Sequence, residues 1–83
     1  MKINIRKSAI RDLKNIDHKD RKRIHATILE LSAFPNVSNV KKLTDFEPAY
    51  RFRTGDYRIL FDVIGNTVEI GRILHRKNSY RES

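Results

Sequence analysis

The last stretch of the chain crowds five side chains that could bind anions or move protons. His75, Arg76, Lys77, Tyr80 and Arg81 follow directly on the apolar run Ile73-Leu74. Three more arginines, Arg51, Arg53 and Arg58, stand in a segment that mixes apolar and basic residues, Y-R-F-R-T-G-D-Y-R-I. Guanidinium groups present five donors in a rigid fork that matches phosphate oxygens with charge-assisted bonds. Imidazole titrates near neutrality, and guanidinium groups around a tyrosine favour its phenolate. The set reads as a reactive edge facing a polyanion rather than as a frayed tail.

Register fixes where these groups must point. If Gly55-Asp56 forms a two-residue hairpin loop, Thr54 faces Tyr57, Arg53 faces Arg58, Phe52 faces Ile59 and Tyr50 faces Phe61. Tyr50, Phe52, Ile59, Phe61 and Val63 then share a core side, with Arg51, Arg53 and Arg58 on the other. Extension through Gly65-Asn66 places Gly71, Ile73 and His75 with the arginines. Directly opposed like charges cost tenths of a kcal/mol up to ~1. A bound phosphate reverses that sign, so anion binding is expected of Arg51, Arg53 and Arg58. Gly71 in mid-strand suggests either close approach of another backbone or a kink. By strict alternation Arg72 lands on the core side, which requires that it snorkel past the sheet edge or that a bulge break the parity.

The elements that carry this edge follow from pattern. Lys2-Ile3-Asn4-Ile5-Arg6 alternates as a half-buried strand. Ser8 offers a helix cap for a stripe of Ile10, Leu13 and Ile16; Asp17 offers another for Ile24, Ile28 and Leu31. From Asn36 to Pro48 the expectation is a loop with at most a turn around Val40 to Leu43, followed by strands at 50–53, 57–64 and 67–74. The order is β-α-α-β-β-β: an α+β fold with a helical hairpin on one face of a mainly antiparallel four-stranded sheet. At 83 residues, one domain spanning 1–83 is expected.

Eighteen Lys plus Arg against ten Asp plus Glu give a net charge of +8, enough to concentrate nucleic acid or an acidic protein around so small a body. There is no cysteine, so neither a disulfide nor a thiolate zinc site is possible, and the three histidines lack ligand spacing; no metal or cofactor is expected. The start shows no apolar leader and no run approaches a membrane span, so a cytoplasmic protein without membrane contact is expected.

The stretches Y-R-F-R-T-G-D-Y-R-I-L-F and R-I-L-H-R-K-N-S-Y-R, with K-S-A-I-R-D-L-K and K-K-L before them, resemble the RelE/ParE superfamily of toxins from type II toxin–antitoxin pairs, over almost the whole chain. Retention of Arg58, Arg76 and Tyr80 is similar to the RelE branch, whose members cleave messenger RNA in the ribosomal A site. The resemblance implies that Arg51 and Arg53 contact RNA, that Arg58 and Arg76 act on the scissile phosphate, and that Tyr80 serves the reaction from the tail. Lys77 and Arg81 would add phosphate contacts, and His75 is a rival to Tyr80 for the proton. It also implies ribosome and messenger RNA as partners, a cognate antitoxin that wraps the body with an acidic or apolar segment, and operator DNA only through that antitoxin. The alternatives are a ParE-like inhibitor of DNA gyrase without RNase activity, and a degenerate toxin without catalysis.

Overall fold

The computed structural model describes residues 1–43 and 49–79. Strand β1 (Lys2–Ile5) leads into helices α1 (Lys7–Lys14) and α2 (His18–Glu30), the latter closed by a 3-10 turn, Leu31–Ala33. A short strand β2 (Val40–Lys42) precedes β3 (Tyr50–Thr54), β4 (Tyr57–Ile64) and β5 (Thr67–His75), and a single turn of helix, α3 (Arg76–Ser79), ends the described chain. The described strands form one five-stranded sheet in the order β1-β5-β4-β3-β2. Only β1 pairs parallel, with β5; the other pairs are antiparallel. The fold class is as expected, with one strand more than the four anticipated. Val40–Lys42 was expected to be loop; its three residues are too few to show a period, and pairing with β3 is what orders them. Lys41 and Lys42 on that edge discourage pairing with another chain.

Both hairpins turn where the glycines stand, with Gly55 at φ 56° and Gly65 at φ 59°. The first hairpin has the expected register, Tyr50 opposite Phe61 through Thr54 opposite Tyr57. Helices and sheet meet in a core of Ala9, Ile16, Ile24, Ile28 and Leu31 against Phe52, Ile59, Phe61, Val68, Ile70 and Ile73. Each of the Ile, Leu, Val and Phe side chains among them contributes about 1.5–3 kcal/mol through loss of contact with water. Phe34 meets Tyr50 and Phe61 edge-on, at ring-centroid distances of 5.1 and 5.8 Å, tying the end of the helical layer to β3 and β4.

The helix starts differ from their sequence reading. Arg6, not Ser8, occupies the cap position of α1, and the Ser8 hydroxyl instead donates to the Gly71 carbonyl at 2.6 Å. Strand pairing of β1 with β5 continues to Arg6, whose N–H donates to the Ile70 carbonyl, so the helix is entered two residues early. Its inward residues are consequently Ala9 and Leu13, while Ile10 is exposed. Asp17 does occupy the cap position of α2, yet its side chain makes no capping bond.

Strand β5 carries an irregularity that re-aims half its residues. Phe61 pairs with Ile70 and Leu60 with Arg72, so Gly71 is the extra residue of a β-bulge. Beyond it Ile73 pairs with Ile59, and His75 with Tyr57, on the side facing the helices. The expected placement of Ile73 and His75 with the arginines is thus reversed, and Arg72 escapes the core. A Cβ at Gly71 would meet the Leu60 carbonyl at 3.6 Å, an ordinary contact, so close backbone approach is not what this glycine serves.

Helix α1 fastens the bulged segment. Asp12 accepts from the Ile73 N–H at 2.9 Å and from Arg72 Nε and Nη2 at 2.8 and 3.2 Å, satisfying an edge of β5 that β1 does not reach. At the other end of β5, Glu69 accepts from the Asn4 amide at 2.8 Å and Arg6 Nε at 3.3 Å. The Asn4 bond outweighs the opposing effect of burial and, with lesser help from Arg6, holds its carboxyl below its ordinary value of 4.5. Its stabilisation is in place above 4.5 and is lost as pH falls through the lower native value. Asp12→Ala leaves a backbone donor and a guanidinium without this acceptor, and urea unfolding should show a loss of about 1–3 kcal/mol.

Candidate functional site

The hairpin between β3 and β4 puts Arg53 directly opposite Arg58, as read from the sequence. Their side chains share the face of the sheet turned away from the core residues. Arg58 is buried, at 7% exposure, with Leu60 two residues along its own strand and Leu74 paired across from it, both also buried. An apolar seat of this kind lowers the local dielectric and strengthens the field that the guanidinium exerts on an anion.

The end of β5 brings a third arginine to the same place. The Arg76 N–H donates to the Asp56 carbonyl at 2.7 Å, clamping the first turn of α3 against the hairpin loop. Arg76 Nη1 lies 3.9 Å from Asp56 Oδ1, a long and exposed pair whose energetic weight is small. Arg53, Arg58 and Arg76, with Gly55 and Tyr57, line one recess. Three guanidinium groups around one small hollow can take the non-bridging oxygens of a phosphate and balance charge that grows on them.

The remaining expected residues take other places. Arg51 is half-buried on the same face, paired between Leu60 of β4 and Lys41 of β2, and does not line the recess. Lys77 is exposed on α3. His75 lies opposite Tyr57, their rings edge to face at 5.3 Å and 86°. Its Nδ1 accepts from the Lys77 N–H at 3.3 Å, which favours the tautomer with the proton on Nε2. Tyr80 and Arg81 lie outside the described residues. Among the described residues no group of three or more His, Cys, Asp or Glu side chains could hold a metal ion, and no helix is long and apolar enough to cross a membrane.

Two contributions escape a sequence reading. Tyr57, which the turn register sets only opposite Thr54, is half-buried, packs against the core and also forms a wall of the recess. The available signal is its position at the loop end of the strand, next to Arg58. Burial, followed by the carboxylates of Asp20, Asp17 and Asp56, raises its phenol above the ordinary value of 10.0, which favours the protonated form. The second contribution is Lys41, which β2 sets beside Arg51 and so extends the basic row across the sheet.

Comparison with known proteins bears on this arrangement. A family described as "ParE toxin of type II toxin-antitoxin system, parDE" matches residues 3–80. Toxin RelE3 of Methanocaldococcus jannaschii is 36% identical over 84 residues, covering 96% of each chain. Among solved structures, the RelB-RelE antitoxin-toxin complex from Methanococcus jannaschii matches with a TM-score of 0.77 at 33% identity, over 94% of this chain and 95% of that one. The RelBE2 toxin-antitoxin complex from Mycobacterium tuberculosis matches with a TM-score of 0.77 at 28% identity, over 90% and 96%. The isolated RelE toxin of E. coli shares the fold at 13% identity, with a TM-score of 0.72 over 98% and 96%. The chain therefore belongs to the ParE/RelE family of toxins from type II toxin–antitoxin systems. Within that family it is a toxin of the RelE type.

Arg53→Gln should weaken binding of a short single-stranded RNA several-fold and lower the slope of log affinity against log salt by roughly 0.7, as one lost phosphate contact does. A fluorescence-anisotropy titration at several salt concentrations measures both quantities.

Proposed function

We propose that this toxin is an endoribonuclease that cuts messenger RNA in the ribosomal A site, using the RNA's own 2′-hydroxyl as nucleophile. The observation that carries the reading is the convergence of Arg53, Arg58 and Arg76 on one recess. Similarity to RelE3 and the family's RNase activity support it further. In the reaction the 2′-oxygen forms a bond to the adjacent phosphorus in line while the bond from phosphorus to the 5′-oxygen breaks. The 2′-hydroxyl proton goes to a base, and the departing 5′-oxygen receives one from an acid. No protein nucleophile or metal is required by this scheme, and its energetic demand falls on cations that favour the phosphorane over the diester.

The residues take the following roles. Arg58, in its apolar seat, and Arg53 balance the charge of the phosphorane, while Arg76 holds the phosphate near the leaving oxygen. Arg51, Lys77 and Arg81 contact neighbouring phosphates. Tyr80 is the base, a role that rests on the resemblance of the H-R-K-x-x-Y ending to the family pattern. His75 is the weaker candidate, because Nδ1 is engaged by the Lys77 N–H and the ring lies across β5 from the arginine face. The chain acts as one unit over its 83 residues, in the cytoplasm where ribosomes translate.

The partners follow from charge and relatives. A net charge of +8 suits ribosomal RNA and messenger RNA, whose phosphates release counterions on binding. A cognate antitoxin with an acidic or apolar segment that folds on this body is proposed from the RelB-RelE and RelBE2 complexes. Operator DNA would be reached only through that antitoxin.

The match of residues 3–80 to a ParE description favours a second reading, inhibition of DNA gyrase without RNA chemistry. Mapping message ends after addition of the purified toxin to a translating extract separates the two. Cuts within A-site codons are expected; their absence, with gyrase-dependent DNA breaks in cells, sinks the nuclease reading. Tyr80→Phe should lower the single-turnover cleavage rate by about 100-fold or more, the scale of general acid–base catalysis, with little change in ribosome binding. Full activity of Tyr80→Phe with a dead His75→Gln would move the base to His75.

A further inference from the structure

A second cleft lies on the helix side of the recess, between the end of α1 and the start of β4. It has a volume of about 280 Å³, and its lining includes Asp12, Asn15, Tyr57, Arg72, Ile73 and His75. Tyr57 lines both this cleft and the arginine recess. We propose that the cleft is a nucleobase subsite, taking the base of a nucleotide whose phosphate sits in the arginine recess. The proposal rests on the nuclease reading and specifies the substrate contacts of that site.

The chemistry of the lining fits a base and not a second phosphate. A base needs a flat face for stacking and polar groups at its rim, and single-stranded RNA is commonly read through such stacking. The half-buried rings of His75 and Tyr57 meet edge to face at 86°, so the face of one ring is available for stacking while the other borders it, and Ile73 adds apolar lining. At the rim stands Asn15, the exposed C-terminal cap of α1, whose amide nitrogen reaches the Arg11 carbonyl at 3.3 Å and whose amide oxygen can accept from a base. Asp12 engages Arg72 and the Ile73 N–H, so the one guanidinium in the lining already has a carboxylate beside it and the cleft carries little net positive charge to draw a second phosphate. Tyr57, kept as a phenol, can donate to the ribose or phosphate that bridges the two hollows. The bulge at Gly71 is what makes the cleft aromatic, since it turns His75 to this side.

The test measures binding without cleavage. Adenosine 5′-monophosphate and ribose 5-phosphate are titrated into the folded toxin, followed by NMR at the Tyr57 and His75 ring protons and the Asn15 side-chain amide. The nucleotide should bind about 5-fold to 100-fold more tightly than the sugar phosphate, the range expected from stacking of one base. It alone should shift the Asn15 and His75 signals. Asn15→Phe, a change at an exposed position that fills the cleft, should erase the difference while leaving the sugar phosphate bound as before. Equal affinity for the two ligands, or nucleotide shifts confined to the arginine recess, overturns the subsite and leaves the nuclease reading intact. Base-dependent binding by a toxin that cuts no message upholds the subsite and removes the nuclease reading.

Discussion

The pairing of β4 with its two neighbours decides where every charge on the sheet is spent. Toward β3 the tight turn at Gly55 allows only the register that sets Arg53 against Arg58. Toward β5 an uninterrupted ladder would carry Arg72 into the layer of Ile59 and Phe61 and turn Ile73 outward. A buried guanidinium costs several kcal/mol even when partly compensated, whereas a bulge leaves one residue outside the ladder. The chain takes the bulge, at Gly71, where no side chain has to be accommodated.

Several functional placements follow from that one irregularity. Ile73 enters the core, Arg72 reaches Asp12 of α1, and His75 turns to face Tyr57. Charge is thereby sorted by side. Asp17 and Asp20 stand near the helix side of Tyr57 and favour its neutral form, while Arg53, Arg58 and Arg76 gather around the recess. The two acids also act on each other: a hydrogen bond that a protonated Asp20 donates to Asp17, followed by burial, raises the Asp20 carboxyl, an effect larger than the lowering by Arg23. On the proposed reading, a phosphate entering the recess would relieve repulsion among these guanidinium groups, and part of the electrostatic cost of placing them together would return on binding.

Much of the fold was legible because its signals are local and agree with one another. Alternation in Lys2–Ile5, glycines at both hairpin turns and the Ile24, Ile28, Leu31 spacing each point to the element that forms. The first hairpin's register, and with it the opposition of Arg53 and Arg58, follows from the turn alone. What stayed hidden depends on tertiary competition. Strand β2 exists because β3 offers an edge, and Ser8 leaves its capping role because the Gly71 carbonyl is within reach. His75 was placed on the wrong face because a single bulged residue inverts the parity of everything after it. The place of Tyr57 in the recess stayed hidden because parity names a face but not the end of a sheet, where one ring can border both sides.

On the mechanism proposed, the arginine recess promotes attack by a 2′-hydroxyl on its neighbouring phosphate. Its most direct measurement is the chemistry of the ends left on message cut by the purified toxin on ribosomes. The expected products are a 2′,3′-cyclic phosphate on one fragment and a 5′-hydroxyl on the other, with no cut where the A-site codon carries 2′-O-methyl groups. Fragments bearing 5′-phosphates, or cutting that persists through 2′-O-methylation, would contradict it.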